Sequence, residues 1–185
     1  MVTIAALWLP ILLSAVFVFV ASSLIHMALP IHKGDYDKMP GEENVLGAMR
    51  NEKVGPGEYF FPFACGKDLR SEETTKKFEL GPVGFVTVRP NGLPAMGAAM
   101  VQWFVYVLVI GVMAAYLTGR TLGAGADYLE VFRVSGTVAF LGYAGAAPSA
   151  SIWRGAKWST SLKFVFDGLV YGLLTAGTFG WLWPS

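Results

Sequence analysis

Residues 3–25 read TIAALWLPILLSAVFVFVASSLI, without a single Asp, Glu, Lys or Arg. A bilayer's hydrocarbon core takes about 20 consecutive apolar residues in helical form, so this stretch is long enough to cross it. Three more stretches of comparable length follow. Gly97 to Gly119 and Val134 to Trp153 are uncharged, and Phe164 to Trp183 carries one acid, Asp167. Backbone amides in lipid must be paired within the segment itself, which makes helices the expected form. The sequence therefore predicts an all-α integral membrane protein with four transmembrane helices: helix 1 in residues 1–30, a small mixed segment in 31–96, and helices 2–4 in 97–185.

Composition agrees. Of 185 residues, 54% are hydrophobic and 15% charged, against about 25% charged in a soluble domain. Mean hydropathy is +0.51. The formal net charge of +1 excludes a nucleic-acid binder held by a global basic field. Cys65 is the one cysteine, so an internal disulfide is impossible. The first span lacks the positively charged start and short apolar core of a secretory signal peptide, although Ala21-Ser22-Ser23 offers a weak cleavage site. Retention of the span is expected.

Charge sets the expected orientation. Segment 31–96 holds nine basic residues, and Arg154, Lys157 and Lys163 follow the third span, whereas Arg120 and Arg133 stand alone on the other side. The positive-inside rule then puts the first and third loops in the cytoplasm and both termini outside. Trp8, Trp181 and Trp183 would lie near the outer interface and Trp103, Trp153 and Trp158 near the inner one, where indoles settle.

Small residues mark how the helices pack. Gly168, Gly172, Ala176 and Gly180 recur every four residues along the fourth span, leaving one face almost free of side chain. Such stripes let backbones approach closely in lipid. The stripe serves either packing within one chain or a homo-oligomer or membrane-protein partner. Pro10 and Pro148 fall inside predicted spans, where each removes a helical hydrogen bond.

Within 31–96 the pattern gives a helix around Glu42 to Asn51, a Gly55-Pro56-Gly57 turn and an aromatic run from Tyr59 to Phe63. A helix from Glu72 to Phe78 is capped by Ser71 and closed by Gly81, and a strand follows from Val83 to Arg89. Its nine basic and ten acidic residues are mixed, as on a solvated surface. The segment is expected to rest on the membrane surface or the inner helix ends. Asp127-Tyr128-Leu129-Glu130 has the spacing of a capping box.

Little chemistry is legible. Asp167 is the only formally charged residue within a predicted span, and such residues are functional candidates by default. It serves either as an ion-coupling residue or as an interfacial partner of Lys163, one turn earlier. His26 and His32 end the first span and, with Cys65 and Asp35, could be drawn as a metal site, but their spacing matches no compact zinc pattern; with Asp35 they are the only cluster that a membrane enzyme would offer. No second helix offers a histidine for haem. Nucleophile elbows, phosphate loops and zincin motifs are missing. No cofactor or metal is expected.

The stretches HKGDYDKMPGEENVLGAMR (32–50), GPVGFVTVRPNG (81–92) and WSTSLKFVFDGLVYGLLTAGTFGWLWP (158–184) resemble a family of bacterial inner-membrane proteins of unassigned function. The resemblance covers most of the chain. It implies a location in the bacterial cytoplasmic membrane and brings no catalytic or binding residues. The functional expectation is a non-catalytic membrane component, either an accessory subunit or a self-associating scaffold. The alternative is a small oligomeric transporter or channel using Asp167, and a membrane enzyme comes third.

Overall fold

A computed structural model describes the whole chain, Met1–Ser185. It is mostly helical and divides into two compact units, residues 1–36 with 95–185 and residues 37–94.

The larger unit is an antiparallel bundle. Helix α1 (Trp8–Ser23) is entered by a 3-10 turn over Ile4–Leu7 and left by a π-turn over Leu24–Ala28. The whole rod, Ile4–Ala28, is 25 residues long, or about 37 Å at 1.5 Å per residue. That exceeds the roughly 30 Å of a hydrocarbon core. Later in the chain come α4 (Met96–Thr121), α5 (Tyr128–Ala144), α6 (Ala147–Arg154) and α7 (Trp158–Trp181). The rod Ile4–Ala28, α4 and α7 are the three helices long and apolar enough to cross a membrane.

The third predicted span differs. In place of one helix from Val134 to Trp153, α5 begins at Tyr128 and stops at Ala144, and α6 restarts at Ala147. Gly145 and Ala146 form the break, with Pro148 in the first turn of α6. Proline is tolerated there because its missing N–H has no helical partner in any case. With 17 residues, α5 is about 26 Å long, short of a full crossing. Pro10 likewise lies in the first turn of α1, where the preceding 3-10 turn meets the helix. Neither proline kinks a helix interior. Asp127 stands at the N-terminus of α5 with extended backbone angles, but its side chain makes no capping hydrogen bond, so the expected capping box is absent.

Packing follows the small residues. The most extensive interface joins α5 to α7. A Cβ placed on Gly168 would come 2.6 Å from Ala144 Cβ, and one on Gly172 would come 3.2 Å from Phe140 Cβ. Ala176 is fully buried beside Gly136, and Gly180 lies under the Tyr128 ring. The whole stripe thus meets α5 of the same chain. Leu7, Ile11, Ala114, Ala115, Val131 and Phe179 form the buried core at one end of the bundle. Ala15, Val18, Ile25, Val107 and Tyr171 form the core toward the other.

The smaller unit is described by itself. Its helices are α2 (Glu42–Asn51) and α3 (Glu72–Leu80), and Ser71 accepts a hydrogen bond from Thr74 N at the start of α3. Strands β1 (Gly57–Phe61) and β2 (Gly84–Val88) pair antiparallel, with Tyr59 opposite Val86 and Phe60 opposite Phe85. The aromatic run is thus the partner strand of the predicted one. Phe60 stacks on Phe85 and Phe78, which ties the hairpin to α3. No residue of this unit reaches full burial, as expected of so short a polar segment.

Candidate functional site

The site is built by the chain reversal after α1. The π-turn carries His26, and Leu29 leaves the helix in extended conformation, as a residue before proline is constrained to do. Pro30 then starts a 3-10 turn, Pro30–His32, that lays His32 against α7. Asp35 follows three residues later. Opposite them, α7 presents Thr160, Lys163 and Asp167, spaced three and four residues apart and so on one face of the helix.

The contacts form a chain of alternating charge. Lys163 Nζ donates to Asp35 Oδ1 at 2.6 Å, and Thr160 Oγ1 donates to the same oxygen at 3.4 Å. Asp35 Oδ2 lies 2.6 Å from His32 Nδ1. On the far edge of that ring, His32 Nε2 lies 2.9 Å from Asp167 Oδ2, and His26 Nε2 lies 3.5 Å from the same oxygen. The two imidazoles overlap with ring centroids 4.1 Å apart, and Phe164 covers both. The side chains of Asp167, Asp35 and His32 are 2%, 4% and 10% exposed, against 38% for His26.

The network differs from the sequence reading at Lys163, which pairs with Asp35, 128 residues away, in place of Asp167 one turn on. Nearby, Ser22 accepts from Trp103 Nε1 at 2.8 Å and donates to Phe19 O.

Electrostatics distinguishes the two acids. Burial raises the carboxyl of Asp35, but hydrogen bonds from Lys163 and His32 outweigh it and hold Asp35 below the usual aspartate range. Asp35 is therefore a settled anion with defined partners. Asp167 is not. Neither of its buried oxygens makes a well-formed hydrogen bond, and His32 Nε2 makes none either, although Nε2 and Asp167 Oδ2 lie 2.9 Å apart. Asp35 accepts from His32 Nδ1, so in the singly protonated ring that this hydrogen bond selects, Nε2 presents a lone pair to a carboxylate. Two acceptors at that distance repel unless a cation stands between them.

Asp167 and His26 also line a cavity of about 480 Å³ with Ser22, Met100, Trp103 and Tyr171. The buried Tyr171 hydroxyl has no hydrogen-bond partner. Its walls are mostly apolar, with a few polar groups at one end, as in a site for small molecules. The sequence pointed to His26, His32 and Asp35 as one cluster and to Asp167 apart from it. It did not bring Asp167 to the histidines, nor did it pair Asp35 with Lys163. Spacing marks which of these residues share a face, His32 with Asp35 and Lys163 with Asp167 and Tyr171, but carries no signal for the contact between the two sets.

Comparison with known proteins leaves the reading to this geometry: no protein-family model, no curated protein and no solved structure matches the chain.

Proposed function

We propose that this chain is an integral protein of a bacterial cytoplasmic membrane that binds a cation at Asp167, in a site at one end of its helical bundle. Three spans are provided by the rod Ile4–Ala28, α4 and α7, and the broken pair α5 and α6 serves as the fourth, with both termini outside the cytoplasm. The clustering of Arg154, Lys157 and Lys163 beyond α5 supports that orientation.

One observation carries the functional reading. Asp167 is buried with two carboxylate oxygens that no donor serves, while two imidazole nitrogens converge on one of them. A lone buried carboxylate is costly, and a bound cation removes that cost. The reading replaces the self-associating scaffold, because the Gly168–Gly180 stripe is occupied by α5 of the same chain. It also favours a binding site over an open channel. Leu7, Val131 and Phe179, all fully buried, fill the bundle at the opposite end.

The test is the melting temperature of the detergent-purified protein against protons, Na⁺, Mg²⁺ and Zn²⁺, beside Asp167→Asn. A cation bound by the folded state stabilises it by mass action, by about 2.7 kcal/mol at a hundredfold excess over Kd, and so raises Tm. The expected outcome is a rise with one of these cations that Asp167→Asn abolishes. Indifference of the wild type to all four overturns the reading.

A further inference from the structure

We infer that His26, His32 and Asp167 form a binding site for a first-row divalent metal ion of the Zn²⁺ class, with one coordination position facing the cavity. The inference rests on the cation reading above and names the cation. Two imidazole nitrogens and one carboxylate oxygen are the donor set of catalytic zinc sites, which keep a fourth position for water or substrate. Hard cations such as Mg²⁺ and Ca²⁺ prefer all-oxygen shells, so the pair of histidines selects against them.

The distances fit. One donor atom from each of the three residues lies within 4.8 Å of the others. Bonds of about 2.0–2.2 Å in tetrahedral array put neighbouring donors about 3.3 Å apart. The 2.9 Å and 3.5 Å separations bracket that value. The three donors belong to three different residues that the fold brings to one point, His26 and His32 from the end of the first helix and Asp167 from α7.

Beyond the ligands, His32 has the support that metal-bound histidines ordinarily have. Asp35 accepts from its other ring nitrogen at 2.6 Å and is held in turn by Lys163 at 2.6 Å. A carboxylate in that position fixes the ring and raises its basicity as a ligand. On the open side, His26 and Asp167 line the cavity, and the unpartnered Tyr171 hydroxyl lines it too. A water or an anionic or carbonyl group of a small molecule is the chemistry that would complete the shell there.

The experiment is a Co²⁺ titration of the chelator-stripped full chain in detergent, followed by visible absorption. Co²⁺ in a four- or five-coordinate nitrogen–oxygen site gives intense bands that octahedral Co²⁺ in water lacks. One Co²⁺ per chain is expected, displaced by one Zn²⁺. His26→Gln and Asp167→Asn should each weaken binding at least 100-fold, and Asp35→Asn by about 10–100-fold with the band shape retained. His26 is partly exposed, so His26→Gln keeps the fold and decides the matter if Asp167→Asn does not fold. No band in the wild type, or a band that survives His26→Gln at full affinity, overturns the inference. If Co²⁺ and Zn²⁺ fail while another cation still raises Tm through Asp167, the metal is wrong and the cation site stands. If no cation acts, both fall.

Discussion

The two ends of the bundle are closed in different ways. At one, main-chain groups do the joining: Val2 N donates to Gly119 O, Gly125 N to Pro184 O, and the Trp183 indole to Gly123 O. Leu7 and Phe179 are fully buried nearby. At the other, His32, Asp35, Lys163 and Asp167 hold the turn after α1 against α7 through charged side chains. Backbone closure satisfies groups that must be paired anyway, and the buried side-chain atom left over beside it is an uncharged one, the Thr118 hydroxyl. Closure by charge brings a desolvation cost and, at Asp167, leaves two acceptor oxygens unserved. The charged end is where the proposed cation site lies.

Five substitutions break or sharpen this contrast. The largest effect is expected between the two ends, where α5 and α7 touch. Gly168→Leu drives a side chain into Ala144 and its backbone, and should cost about 3 kcal/mol, the upper part of the overpacking range. Gly180→Ala meets only the Tyr128 ring, which can turn aside, and should cost well under that. Unfolding by graded SDS in mixed micelles measures both, and equal costs would show that the α5–α7 contact is not so close.

The next effect is confined to the charged end and to acid. Asp35 has a folded-state pKa below its ordinary value of 3.8, so it contributes stability above that value and loses it as pH falls through the folded one. Wild-type Tm should therefore drop from about pH 4 downward. Asp35→Asn should start lower and flatten over the same window. A mutant curve parallel to wild type at every pH would remove Asp35 as the group responsible.

The smallest effect belongs to the backbone-closed end. Trp183→Phe deletes one indole donor to Gly123 O and should cost about 1 kcal/mol, with no change in cation response. Trp103→Phe removes an equivalent bond to Ser22 beside the cavity and should cost about as much. A change in Co²⁺ affinity is expected only for Trp103→Phe, since Trp103 lines the cavity and Trp183 does not.

Much of the fold is legible from local pattern. The first and second apolar runs became helices within three residues of their predicted limits, the fourth begins six residues earlier than predicted, at Trp158, and Ser71 caps α3 as its spacing suggests. The third run is interrupted: Pro148, which lacks the N–H that a continuous helix would aim at Ala144 O, lies in the first turn of α6, Ala147–Arg154, and α5 ends before it at Ala144. The aromatic run at Tyr59 was ambiguous alone, since a strand is defined by its partner, and β2 lies more than twenty residues on.

What the sequence determined by itself is the set of long apolar helices, the small-residue face of α7 and the identity of the few ionisable residues beside them. Period and composition fix these, because burying an apolar face and pairing a backbone in lipid are local demands. Which ionisable residues meet was decided by tertiary structure alone. Lys163 stands four residues before Asp167 yet reaches Asp35, and Asp167 faces two histidines more than 130 positions earlier. The chain reversal at Pro30 puts them there, and no spacing along one helix encodes where another helix ends against it.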